Sequence, residues 1–137
     1  MNRISALLAV ALLCVISPEA DATSRDEGFA KAMAIYAQRA EVTKHVEAVS
    51  AFSELAKAHP TDREVQFWCA RTASYAAHRI FDTKVKQKIA GRGVKCAQRM
   101  LDADPTDYDG RLWWILCRRC FLESRRCVTG LWGSWCL

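Results

Sequence analysis

An all-α fold, built of antiparallel helical hairpins stacked as a short solenoid, is what this 137-residue sequence predicts, and three observations carry the prediction. Apolar side chains recur at steps of three and four between residues that start and stop helices. No stretch alternates polar and apolar residues long enough to argue a strand. The phrase AHPTDREVQFW at residues 58–68 returns as ADPTDYDGRLW at residues 103–113, 45 positions later. A phrase that recurs along a helical chain marks a joint built more than once.

The elements follow in order. Ser24-x-x-Glu27 opens a first helix through Phe29, Met33, Ile35 and Tyr36. A second runs from about Thr43 to His59, with Val46, Val49, Phe52 and Leu55 inward. Pro60 ends it, and Thr61 is expected to cap the next helix with Glu64 three residues on. That third helix carries Val65, Trp68, Cys69, Thr72, Ala73, Ala76 and Ile80 on one face. Asp82-Thr83 starts its mate, where Val85, Ile89, Gly93, Cys96, Ala97, Met100 and Leu101 keep the period as far as Pro105. Thr106 and Asp109 repeat the cap and open a fifth helix, expected from Asp107 to about Arg119.

Aligned at offset 45, residues 49–68 and 94–113 share Val49 with Val94, Ala58 with Ala103, Pro60-Thr61-Asp62 with Pro105-Thr106-Asp107, and Trp68 with Trp113. Ala48, Phe52 and Pro60, copied in smaller residues by Gly93, Ala97 and Pro105, give the body a pattern that resembles the tetratricopeptide repeat family. Ala70 matches the small residue at which paired helices of that family touch most closely. The resemblance covers about residues 26–120 and departs from the family in its period, 45 against about 34, and in lacking a clear Trp-x-x-Leu-Gly signal. The phrase GRLWWILC, with the export signal described below, is similar to the periplasmic T component of tripartite ATP-independent transporters. The resemblance implies a protein-binding or assembly scaffold, accessory to a solute transporter in its finer form. It places the partner-binding face on the first helix of each hairpin, here Glu64, Phe67, Arg71 and Tyr75.

Arg3 precedes the apolar run from Ile4 to Ile16, and Ala20-Asp21-Ala22 supplies a small-x-small site, so residues 1–22 read as a signal peptide cleaved after Ala22. Leu13 stands where a lipoprotein signal needs a small residue before Cys14. The expectation is an exported, periplasmic or secreted chain with no transmembrane span after processing. Residues 23–137 hold 19 Lys and Arg against 13 Asp and Glu, and +4 of that +6 lies after Gly110. A body so near neutral is not built for nucleic acid. The expected partner is an exported or periplasmic protein, with a second copy of the chain as another candidate.

Six cysteines follow the signal segment. An antiparallel hairpin turning at Asp82 sets Cys69 and Cys96 level, so they are a candidate disulfide, the alternative being two small buried thiols in tightly packed helices. Cys117-Arg-Arg-Cys120 has the spacing of a redox pair or of half a zinc knuckle, but a redox motif normally follows a strand, and a zinc site needs two more ligands that only Cys127 and Cys136 could offer. His45, His59 and His78 are scattered. The sequence offers no acid pair, nucleophile triad or Gly-rich phosphate loop, so the expectation is a protein that is not an enzyme and holds no metal or cofactor. Two other classes stay open: a binder of an apolar small molecule between hairpins, and a thiol-disulfide protein using Cys117 and Cys120.

From Trp113 onward, four of the five Trp and four of the seven Cys crowd together. Trp, Cys, Arg and Gly are what G-rich codons give when read out of frame, so residues 23–119 are taken as the helical domain and 120–137 as an atypical, truncated or frame-shifted tail. A disulfide-stapled cap is the competing reading. A fifth helix without a mate is expected to leave Leu112, Ile115 and Leu116 partly uncovered and prone to self-association, unless bridges among the tail's cysteines fold it back over that face.

Overall fold

The computed structural model describes residues 18–128, with side chains described for residues 22–125. Five helices follow one another, α1 Pro18–Ala37, α2 Val42–Ala58, α3 Arg63–Arg79, α4 Thr83–Ala103 and α5 Tyr108–Val128, with no strand among the described residues. Each packs on the next, and α5 also packs back on α3, so the chain is a stack of helical hairpins. Among the described residues no helix is long and apolar enough to cross a membrane. The run Ile4–Ile16 lies outside the described residues, as do Cys14, Cys136 and residues 129–137.

Three helices start on the same device. Asp62, Asp82 and Asp107 each stand just before a helix and accept the amide of its third residue, Val65, Val85 and Gly110, at 3.0, 2.8 and 3.0 Å. The caps expected at Thr61 and Thr106 therefore fall one residue later, on the carboxylates. Thr106 instead donates its hydroxyl and amide to Asp104. Glu64 and Asp109 do not reach back to complete capping boxes, because each is paired to an arginine of the preceding hairpin or helix: Glu64 to Arg25 and Asp109 to Arg63. The first helix begins at Pro18, not at Ser24; Pro suits a first helical position, since it lacks an amide that would have no partner there.

The core is made of small residues between a few large ones. Val49, Phe52, Val65 and Cys69 are fully buried, and burying each large aliphatic or aromatic side chain contributes about 1.5–3 kcal/mol. Ala48, Ala56, Ala70, Ala73, Ala77, Ala90 and Ala97 are inaccessible, which lets the helix axes approach. Phe52 stacks on Trp68 at 6.0 Å, and the edges of Phe29 and Tyr36 close the same cluster. Of the expected core residues, Val46, Leu55, Trp68 and Leu101 are half-buried, and Val85 is 40% exposed because it lies in the first turn of α4, before the helix meets its neighbours.

The fifth helix does not stop near Arg119. It continues to Val128, and Trp113, Cys117, Cys120 and Ser124, spaced four, three and four apart, are buried along one stripe against α3 and α4. Residues 120–128 are thus part of the helical stack. Its outer face is open: Ile115 is 58% exposed, and Trp114, Ile115, Arg118, Arg119, Leu122 and Glu123 line a shallow groove of about 380 Å³.

Candidate functional site

The four residues expected to face a partner lie on α3, but the structure divides them. Phe67, Arg71 and Tyr75 come together; Glu64 does not join them, since its carboxylate is held by Arg25 at the far end of the helix. The Arg71 guanidinium lies 4.9 Å from the Trp68 ring centre and 5.9 Å from those of Phe67 and Tyr75. Trp113 of α5 meets Phe67 at 6.1 Å and Tyr75 at 5.7 Å, both edge-on. Such ring contacts contribute about 0.5–1.5 kcal/mol beyond area burial, so the cluster fixes Arg71 rather than merely touching it. The buried Arg71 Nε has no hydrogen-bond partner, and no carboxylate pairs with Arg71 among the described residues. Tyr75 remains 46% exposed.

Beside this cluster lies a cleft of about 320 Å³ lined by Tyr36, Arg39, His45, Arg71, Tyr75 and Arg79. It forms where the end of α1, the α1–α2 turn and the start of α2 meet the C-terminal half of α3. Arg79 donates to the Arg39 and Ala40 carbonyls, which ties the turn to α3. Arg39 lies 4.6 Å over the Tyr36 ring and donates to the Tyr36 carbonyl. His45 is 3% exposed, edge-on to Tyr36 at 5.6 Å, and neither of its ring nitrogens has a hydrogen-bond partner. Burial first, then the positive charges of Arg79 and Arg39, push its pKa below the ordinary histidine value, with the Thr72 backbone pulling weakly the other way. No local pattern marks this cleft, because its residues come from α1 and its turn, α2 and α3, which only folding brings together.

The cysteines divide likewise. Cys69 and Cys96 are joined in a disulfide between α3 and α4, with Cα atoms 6.1 Å apart. Cys117 and Cys120 are free thiols buried in the middle of α5. Burial pushes Cys117 up to about 12, with the neighbouring Cys120 adding to the shift, and burial raises Cys120 as well. A reactive thiol needs an accessible thiolate; here both are buried, and at Cys120 burial outweighs the lowering effect of Lys86 and Arg119. Cys120 instead rests about 3.5 Å from the His78 ring. No group of His, Cys, Asp and Glu among the described residues could hold a metal ion.

No family model, curated protein or solved structure matches the chain.

Proposed function

We propose that the chain is an exported, non-catalytic helical-repeat module of the tetratricopeptide kind, which binds a protein partner through the Phe67–Arg71–Tyr75 face of α3. The observation that carries this reading is Arg71: a guanidinium spread over three aromatic rings with no acid paired to it among the described residues. Arg, Trp and Tyr are the residues that dominate binding interfaces, and a pre-positioned Arg loses little entropy when an acidic or aromatic partner group arrives. The buried, high-pKa thiols support the non-catalytic reading over a thiol-disulfide one. In its finer form the module is an accessory of a solute transporter, working outside the membrane.

A photo-crosslinking residue in place of the half-exposed Tyr75 tests this in the exporting cell. The expected result is a discrete adduct that disappears when Phe67→Ala and Arg71→Ala are added. An equal adduct from a crosslinker at the exposed Lys95 of α4 would remove the assignment. The second reading, a small-molecule binder, is favoured by the cleft at His45 and leads to a more specific proposal.

A further inference from the structure

The cleft between α1, α2 and α3 contains what an anion needs and nothing that would repel one. Three guanidinium groups line it, those of Arg39, Arg71 and Arg79, and among the described residues no carboxylate does. Among the described residues none of the three is ion-paired, whereas Arg25 and Arg63, at the other end of the same helices, each hold two aspartate or glutamate partners across the hairpins. Glu41 and Asp82 stand at this end of the helices, at the starts of α2 and α4, but neither lines the cleft. Arg79 and Arg39 are fixed by backbone carbonyls and Arg71 by rings, so all three are held in place without being neutralised.

His45 is the independent sign of a ligand. Neither ring nitrogen makes a hydrogen bond of ordinary length, and the Thr72 backbone offers only a weak one; a buried imidazole left so poorly partnered costs about 1–3 kcal/mol of stability, and native structures rarely leave one without a use. It faces Tyr36 and Arg39 from α1 and its turn, and Arg71, Tyr75 and Arg79 from α3. An oxyanion entering the cleft would give His45 an acceptor and the Arg71 Nε a second one. A single carboxylate would balance one of the three cations; a phosphate group carries about −1.5 to −2 at neutral pH and offers three acceptor oxygens. The Tyr36 and Tyr75 rings add apolar walls at the mouth.

We propose that Arg39, His45, Arg71 and Arg79 form a phosphate-binding site, which takes either free inorganic phosphate or the phosphoryl group of a monoester. It shares Arg71 and Tyr75 with the partner-binding face but does not need that face to be correct, because Arg39 and His45 stand outside it.

The test is calorimetric titration of the full chain with inorganic phosphate and with phenyl phosphate, at constant ionic strength, beside acetate as control. NMR of the His45 ring nitrogens follows the same titrations in the unmodified protein, so the result does not depend on any variant folding. Phosphate should bind, shift both ring-nitrogen resonances and raise the His45 pKa, while acetate binds at least about tenfold more weakly, a difference of about 1.4 kcal/mol. Arg39→Gln, at an exposed turn position, should weaken phosphate binding about tenfold or more, and Arg118→Gln on α5 should leave it unchanged. Tighter binding of phenyl phosphate than of phosphate identifies a monoester as the source; equal binding identifies the free ion. No shift of the His45 nitrogens at saturating phosphate, equal binding of acetate, or full binding by Arg39→Gln would each overturn the site. The Tyr75 crosslink can succeed or fail independently, so the two readings are separable.

Discussion

Arg63 and Asp107 join α3 to α5 through a carboxylate that does two things at once. Asp107 Oδ2 accepts Arg63 Nε at 2.7 Å, while its Oδ1 accepts the Gly110 amide at 3.0 Å and so starts α5. The same arrangement stands one hairpin earlier, where Arg25 Nε meets Asp62 at 2.8 Å and Asp62 caps α3. The repeated phrase is thus a capping residue that also receives an arginine from the preceding first helix.

Asp107→Ala removes both bonds from a buried carboxylate, and the expected loss is about 2 kcal/mol, of which about 1 is the cap. Asp107→Asn keeps an acceptor for Gly110 and should cost less. Urea denaturation of the two variants checks the ordering, and equal losses would mean the cap contributes nothing. The Arg63 hydrogen bond, opposed by burial, holds the Asp107 pKa below the ordinary carboxylate value. The ionised form is the one favoured by folding, so its stabilisation is complete above the unfolded value of about 3.9 and is lost as pH falls through the depressed folded value. Asp107→Asn should flatten the acid limb of the stability curve in that window.

His45 acts in a higher window. Its folded pKa is lowered, so the unfolded chain takes up the histidine proton first, at about pH 6.5. Stability therefore declines as pH drops below that value and stops declining once folded His45 is protonated. His45→Leu should remove this slope and, by deleting two unpartnered nitrogens, raise stability at neutral pH by about 1 kcal/mol. An unchanged slope between neutral and mildly acidic pH would show that His45 is not the group responsible.

Two glycines should respond in opposite senses to alanine. A Cβ at Gly93 would lie 2.5 Å from Cys117 Sγ and 2.9 Å from Ala73 Cβ, both in the packed interior. The overlap should cost about 1–3 kcal/mol, more than the gain of up to about 1 kcal/mol in helix propensity. At Gly28 the new carbon meets only Leu55 Cδ1, at 2.8 Å, the end of a half-buried side chain that can rotate away. Gly28→Ala should be neutral to stabilising. Melting temperatures that move in the same direction for both would contradict this packing.

Reducing the Cys69–Cys96 bond, which closes a loop of 27 residues in sequence separation, should destabilise the chain by up to about 3.5 kcal/mol on the chain-entropy account. Cys117, buried and raised to about 12, should stay unreactive to a thiol reagent until denaturant is added. Rapid labelling of Cys117 in the native protein, mapped by mass spectrometry, would show that α5 is not packed there against α3 and α4.

Much of the helix order was legible because Pro60, Pro105 and Asp82 punctuate a clean period, and element ends fell within a few residues of those marks. Thr and Asp are both good capping residues and are adjacent in Pro-Thr-Asp, so the pattern alone could not choose between them. The carboxylate wins because it accepts an amide and an arginine together. The arginines escaped the repeat because Arg25 and Phe29 match Arg63 and Phe67 at offset 38, not at the 45 that relates the caps. Composition misled at α5: Cys120 looked foreign, although Trp113, Cys117, Cys120 and Ser124 already had helical spacing. The cleft was illegible, since nothing local links Arg39 and His45 to Arg71 and Arg79.

Double-mutant cycles at both joints, Arg25 with Asp62 and Arg63 with Asp107, each to Ala and read by urea denaturation, test most directly whether one device is built twice. The account predicts favourable coupling at both, similar in size and about 1 kcal/mol. Coupling at one joint and none at the other, or none at either, would contradict it.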